Sequence, residues 1–364
     1  MSKIFQLTRH SRGVLHDRSI LQGMSGSKCD RRNFLKLLGL SVFVTQLPVA
    51  AKTDSSPQAI LKPRRLNVGD TVGLISPGSL VNRGDVEAFT KTLSQLGLKV
   101  KLGAHVLDRY GYLAGNDRDR AADINALFAD TSVQALLTMR GGWGCNRLLP
   151  LLDYNLIRHN PKILMGFSDI TSLLLAIYTR SRVVTFHGPV GTSTWNPFSV
   201  SYVQRILFQA EKATLQNPDN ALVEVITHGK ARGRLLGGNL SVLAAMVGSS
   251  YLPNWQQTIL FVEETGEDIY RVDRLLTQLK LAGILEQLAG FIFAQCTKCR
   301  EGEGDEPSLT LQQVLSDHIK SLGIPAWYGS AIGHIPNKFT VPIGAEVEID
   351  ASQGTIQMLE SAVV

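Results

Sequence analysis

Gly166-Phe-Ser168-Asp169 separates a short apolar run, residues 162–165, from a stretch beginning at Ile170 whose apolar residues recur at helical spacing. Four residues leave room only for a sharp strand-to-helix turn. A serine on such a turn carries its hydroxyl past the end of a sheet. It then faces the first free N–H groups of the helix, where the helix dipole favours negative charge. That is the placement a serine nucleophile needs. A serine that only caps the helix would occupy the same position, so the rest of the chain has to discriminate. A nucleophilic serine requires a base, and the base a carboxylate to orient it. His187, in Phe186-His187-Gly-Pro, and His334, in Gly333-His334-Ile-Pro-Asn, both stand where predicted strands end. Glu263 and Glu264 close another apolar run, residues 258–262, and each alone could be a solvated strand terminus.

The elements that must position these groups alternate regularly. Residues 71–77, 98–102, 133–139, 162–165 and 183–187 read as strands, and 85–96, 117–128, 146–152 and the amphipathic stretch after Ile170 as helices, with Asn116 or Asp117 as a cap. This predicts a Rossmann-like parallel sheet covered by helices, with ligands beyond the carboxyl ends of the strands. Ser76, Arg140, Ser168 and His187 end such strands, so all four are expected on one rim. Arg140-Gly-Gly-Trp143-Gly breaks its strand abruptly. Arg140 is a candidate partner for a substrate carboxylate, or the anchor of a salt bridge that pins the turn. From about 190 to 222 the pattern loosens. Beyond it, Gly233-Arg-Leu-Leu-Gly-Gly-Asn239 turns into an apolar helix over 240–247. Strands over 258–262, 290–294, 325–332 and 345–350 and a helix over 270–282 complete a smaller, β-rich second α/β domain. The expected boundaries are a leader (1–51), a linker (52–64), a nucleophile domain (65–198), a connection (199–226) and a second domain (227–364), with the active site at the domain interface.

The chain has 364 residues, 44% hydrophobic and 19% charged, which suits ordinary globular domains. Its net charge of +6 is scattered and gives no nucleic-acid footprint, though it would favour an anionic polymer such as a cell wall. Asp30-Arg31-Arg32-Asn-Phe-Leu-Lys36 is a twin-arginine export signature. An apolar run over 37–47 and small residues at Val49-Ala50-Ala51 follow it. About 11 apolar residues are too few to span a bilayer. Cys29 leaves with the leader, and the three remaining cysteines argue against a disulfide framework. No second Cys/His pair stands at zinc-site spacing from Cys296-Thr-Lys-Cys299, which reads as a structural pair or one local disulfide. No metal or other cofactor is implied. A dinucleotide site is excluded because no Gly-x-Gly-x-x-Gly follows the first strand. A generic esterase is disfavoured because Ile170 replaces the second glycine of Gly-x-Ser-x-Gly.

Gly166-Phe-Ser168-Asp-Ile-Thr, Arg140-Gly-Gly-Trp-Gly144, His187-Gly-Pro, Gly237-Gly-Asn-Leu, Phe261-Val-Glu263-Glu264, Glu267, Arg271-Val-Asp-Arg-Leu-Leu and Gly333-His334, in that order, together resemble the LD-carboxypeptidases (muramoyltetrapeptide carboxypeptidases) over roughly residues 66–350. The resemblance implies that Ser168 is the nucleophile, His334 the base and Glu263 the acid of a triad. It implies an oxyanion hole formed by the backbone N–H groups of Gly142 and Asp169. The implied reaction is release of the terminal D-alanine from peptidoglycan tetrapeptides, and the implied assembly a homodimer. Ser76, Arg140, Trp143 and His187 are the candidate substrate contacts. Trp143 stands where a tyrosine is expected, which would reshape the rim. Familiar members look cytoplasmic, whereas the leader points to a periplasmic or otherwise exported protein handled by the export machinery. Two other readings stay open: a microcin-immunity-like peptidase acting on acyl-sulfamoyl nucleotides, and a non-catalytic exported protein that binds wall peptides.

Replacing Arg31 and Arg32 together with lysine is expected to leave the precursor in the cytoplasm, as cell fractionation would show. Unchanged export would point to the general secretory route.

Overall fold

The computed structural model describes residues 59–218, 221–302 and 307–364. The twin-arginine segment, its cleavage site and Cys29 lie outside the described residues. From the start of the described chain, β1 (Thr71–Ile75), α1 (Arg83–Gln95), β2 (Lys99–Leu102), α2 (Asp117–Ala129), β3 (Val133–Thr138), a 3-10 segment (Cys145–Leu151), α3 (Tyr154–His159), β4 (Ile163–Gly166), α4 (Thr171–Ser181) and β5 (Thr185–His187) build the first lobe. Its five strands run parallel in the order β2-β1-β3-β4-β5. All four residues of β4 are buried, as a central parallel strand covered on both faces requires. Asn82 and Asn116 cap α1 and α2, each accepting from the N–H three residues on.

The second lobe follows α5 (Pro197–Val203), a π-helical turn (Gln204–Phe208) and the short β6 (Thr214–Leu215). It comprises β7 (Glu224–Thr227), β8 (Lys230–Asn239), α6 (Leu240–Ala245), β9 (Thr258–Thr265), α7 (Ile269–Leu281), β10 (Gly290–Thr297), α8 (Leu311–Ile319), β11 (Ala326–Tyr328), β12 (Val341–Ile343), β13 (Glu346–Asp350) and β14 (Thr355–Met358). Eight strands form one mixed sheet in the order β6-β14-β13-β8-β9-β10-β11-β7, with β8 to β11 parallel and antiparallel strands on both sides. The two-sheet α/β class agrees with the expectation from sequence.

Four local expectations need correction. The stretch 233–239, which is not among the expected strands, is part of β8. Its glycines serve close approach, because a Cβ on Gly237 (φ +148°) would overlap the Phe261 carbonyl oxygen and one on Gly238 (φ +145°) would overlap Thr171. α4 is not amphipathic: all its residues except Thr179 and Arg180 are buried, because it packs between the sheets, touching β4, β5, β8 and β12. The segment taken as a linker is tied down where it is described. Leu61 bridges Val183, and Val364 exchanges backbone hydrogen bonds with Pro63 and Arg65 at 2.9 and 2.8 Å. Finally, β12 leaves the second lobe and adds antiparallel to β5, pairing Val341 with His187, so the sheet of the first lobe is completed from the far end of the chain. Cys296 and Cys299 form a local disulfide at the end of β10, and Cys145 is a buried free thiol.

Gly237→Ala is expected to destabilise the fold by roughly 2–4 kcal/mol, since the added methyl meets backbone that cannot turn aside and φ lies outside the alanine range. Urea unfolding measures this, and a loss under 1 kcal/mol would mean that β8 and β9 can separate locally.

Candidate active site

Ser168 stands two residues past the end of β4 and has φ +64°, a left-handed conformation that costs a non-glycine residue about 1–3 kcal/mol. Such strain persists only where the surroundings dictate it. Gly166 permits it, because a Cβ there would overlap Thr138 and press on Ile170. Gly141 lies so near that its Cβ would sit 2.8 Å from that of Ser168. The conformation turns Oγ toward the second lobe, where it lies 3.1 Å from His334 Nε2. On the other side of the ring, His334 Nδ1 donates to Glu263 Oε2 at 2.6 Å. The three residues are separated by 166 and 71 positions in sequence, and only the apposition of the two sheets joins them.

Glu263 and Glu264 are adjacent on β9 and so point to opposite faces. Glu263 is fully buried and reaches His334. Glu264 is buried too, so it is not a solvated terminus. It accepts from Ser241 N–H at 2.8 Å, Asn239 Nδ2 at 3.0 Å and Thr265 N–H at 2.9 Å, fixing the start of α6. Burial raises its carboxyl above the usual range, opposed by these hydrogen bonds. Gly333 (φ +102°) lets the chain pass the carboxylate, since a Cβ there would overlap Glu263. The His334 ring meets the edge of Phe167 at 4.9 Å between centroids, which limits its rotation.

The Arg140-Gly-Gly-Trp-Gly turn is clamped from three sides. Gly141 O accepts from Ser79 N–H at 2.8 Å, Gly144 O from Arg120 at 3.3 Å, and Cys145 N–H donates to Asp169 Oδ2 at 2.8 Å. Arg120, 2% exposed, also donates to Pro77 O and to Asp117 at 2.6 Å, tying together the turns after β1 and β3. Neither the Gly142 nor the Asp169 N–H is taken by a loop or side-chain acceptor among the described residues. Arg140 and Trp143 are exposed, Trp143 at 69%, and Arg140 makes no ion pair among the described residues that would pin the turn.

Ser76 and His187 do not line the rim. Ser76 is 4% exposed and its hydroxyl donates to Val106 O at 2.8 Å. His187 is 1% exposed beneath the site, edge-on between Phe167 at 6.0 Å and Phe261 at 5.3 Å. The pairing of β5 with β12 covers the strand end that sequence alone left open. Burial pushes the His187 imidazole down to about 4, partly opposed by Glu263 and reinforced by His334 and Lys338. Sequence reasoning passed over Arg120 and Lys338. Arg120 is one of several charges on a polar helix start. Lys338 carried a weak signal, a lone cation four residues after His334.

Fold and site define a class: an α/β protein of two facing sheets, one presenting a strained serine and the other the histidine and carboxylate that reach it. The chain belongs to the LD-carboxypeptidase family. Residues 72–188 match the family's N-terminal domain and residues 232–349 its C-terminal domain. It is 40% identical over 300 residues to the probable murein peptide carboxypeptidase of Bacillus subtilis, covering 81% of this chain and 93% of that protein. It is 30% identical over 295 residues to the murein tetrapeptide carboxypeptidase of Pseudomonas aeruginosa, covering 78% and 94%. Among solved structures, MccF in complex with glutamyl sulfamoyl guanosine superposes with a TM-score of 0.77 at 25% identity, covering 84% of this chain and all of that one.

The neutral, buried His187 makes a prediction about stability. An unfolded chain takes up a proton on this residue near pH 6.5, whereas the folded chain resists protonation until about 4. Its contribution is therefore complete above about pH 6.5 and lost as the pH falls toward 4, by on the order of 3 kcal/mol. Urea stability of His187→Asn measured across this window should fall less steeply than that of the parent. Parallel curves would place the acid sensitivity elsewhere.

Proposed function

We propose that the protein is a serine carboxypeptidase that releases the terminal D-alanine from murein tetrapeptides by cleaving an L,D-peptide bond. The observation that carries this reading is the continuous hydrogen-bonded path from Ser168 through His334 to the buried Glu263. His334 Nε2 takes the Ser168 proton as Oγ bonds to the carbonyl carbon, and the carbonyl electron pair moves onto oxygen. The Gly142 and Asp169 N–H groups receive that oxyanion, each such donor contributing about 2.7–4 kcal/mol in enzymes of this logic. Collapse of the adduct breaks the C–N bond, and the proton held by His334 passes to the departing amine. Water then repeats the sequence on the acyl-serine and restores the hydroxyl. Glu263 keeps Nδ1 protonated and balances the imidazolium. The names of the murein peptide relatives support the substrate class, and the leader supports action outside the cytoplasm.

The likeness to MccF favours a second reading, hydrolysis of an aminoacyl-sulfamoyl nucleotide by the same groups. Offering the mature protein a defined tetrapeptide and an aminoacyl-sulfamoyl nucleotide separates the two readings. D-alanine release seen by mass spectrometry, without nucleotide turnover, is the expected result. Release of neither product would sink both.

The roles within the site predict a ranking. Ser168→Ala should end D-alanine release, and Glu263→Gln should lower kcat by roughly 10³–10⁴-fold, because an amide can hold the wrong tautomer and cannot balance imidazolium. Glu264→Gln should keep turnover within about tenfold while losing stability, since one of its three accepted hydrogen bonds becomes a clash of donors. Losses in a Glu263→Gln/His334→Ala double variant should be far from additive. A dead Glu264→Gln beside an active Glu263→Gln would move the acid by one residue.

A further inference from the structure

Four residues after His334 the chain places Lys338, only 5% exposed, with its ammonium 4.8 Å from the Phe167 ring centroid. His334 meets the same ring at 4.9 Å. Lys338, His334, Phe167, Thr192 and Thr194 line one cavity of about 300 Å³ that opens to solvent. The position of Lys338 is held by its own N–H, which donates to Ser199 Oγ at 3.0 Å; Ser199 Oγ in turn donates to Pro336 O at 3.2 Å. Among the described residues its ammonium has no hydrogen-bonding or ion-pair partner, and the hydroxyls of Thr192 and Thr194 make no hydrogen bonds. Lysine is rarely buried this far without a partner. Burial lowers it to about 8, with Glu263 acting in the opposite direction, so it remains mostly charged at neutral pH.

The direction of proton transfer says what belongs there. In the proposed reaction His334 hands its proton to the departing amine, so the departing residue must lie on the imidazole side of the serine. In an α-amino acid the carboxylate oxygens lie within about 4 Å of the nitrogen by ordinary bond lengths. The free carboxylate of the substrate therefore enters the cavity that His334 shares with Lys338. Arg140 ends a strand of the other lobe, is exposed, and does not line this cavity.

We propose that Lys338 receives the free C-terminal carboxylate of the departing residue, with the Thr192 and Thr194 hydroxyls beside it, and so makes the site an exopeptidase. This rests on the reading of Ser168 and His334 as nucleophile and base. Lys338 is a positioning residue that touches substrate without exchanging a proton with it. A neutral replacement removes the attraction for a carboxylate, and any effect it has on His334 falls equally on an acid and on an amide substrate.

The test compares a tetrapeptide ending in free D-alanine with the same peptide ending in D-alaninamide, on the parent protein, Lys338→Gln and Lys338→Arg, with thermal melting to verify folding. The parent should prefer the acid by roughly 10- to 100-fold in kcat/KM, the worth of one hydrogen bond to a charged group. Lys338→Gln should collapse that preference, mostly through KM, so that turnover of the acid falls far more than turnover of the amide. Lys338→Arg should recover part of the preference. Equal loss on both peptides, a preserved preference in Lys338→Gln, or a collapse in Arg140→Gln instead would overturn the assignment. If the parent cleaves neither peptide, the carboxypeptidase reading fails and the assignment with it. If the parent cleaves both peptides equally, the carboxylate is not read at all.

Discussion

A carboxylate with no exposed surface, held by one hydrogen bond to an imidazole, sets the terms for everything else in the molecule. Glu263 sits on a central strand of the larger sheet, and His334 Nδ1 is its hydrogen-bond donor, while Oε1 is buried without a partner among the described residues. A buried acid of this kind is tolerable only while its partner stays in place, because removing one member of such a pair typically costs about 3–5 kcal/mol. The structure holds the partner by shape as much as by charge. Gly333 removes the Cβ that would collide with the carboxylate, and Phe167 closes the ring from the side. The pair is therefore ready before any substrate arrives, and it presents Nε2 outward to the other sheet.

The first lobe answers with a strained serine, and the strain is supported from both sides of the interface. α4 starts immediately after the turn and is buried almost throughout. Its Thr171 hydroxyl accepts from Asn239 N–H at 2.9 Å, at the point where Gly238 allows β8 to touch it. Asn239 caps α6 and also meets Glu264, which lies back to back with Glu263. A path of direct contacts thus links the helix behind Ser168 to the strand that carries Glu263. β12 adds a second tie by crossing from one sheet to the other. Two lobes joined in this way share one site because neither can shift without disturbing a buried hydrogen bond of the other.

Much of this was legible in the sequence. Apolar runs ending in glycine, serine or histidine marked the strands of the first lobe, and Gly166-Phe-Ser168-Asp marked the elbow. Periodicity is local, however, and what it missed depends on distant contacts. Gly237 and Gly238 look like turn residues in sequence; in space they are the thin part of a strand that another backbone and a helix approach. α4 reads as amphipathic because the pattern cannot say that a second sheet covers its outer face. Ser76 and His187 end strands as expected, but covering the strand ends depends on residues 30 and 154 positions away, Val106 and Val341. Of Glu263 and Glu264, Glu263 was preferred because it directly follows the apolar run; adjacent strand residues face opposite ways, and only the place of His334 in space says which of the two it meets.

The electrostatics around Glu263 explain why one nearby group suits a proton relay and the others do not. Three side chains that can carry positive charge surround it: His187 below, Lys338 beside the cavity and His334 in direct contact. Burial keeps His187 neutral down to about 4. Lys338 stays charged to about 8, because burial lowers it while Glu263 favours the ammonium. Near pH 7 His187 is therefore neutral and Lys338 mostly charged. A relay needs a group that touches both the carboxylate and the serine hydroxyl. Only His334 spans that gap, with contacts of 2.6 and 3.1 Å on its two nitrogens. The uncharged, buried His187 imidazole fills the space between Phe167 and Phe261 beneath this path.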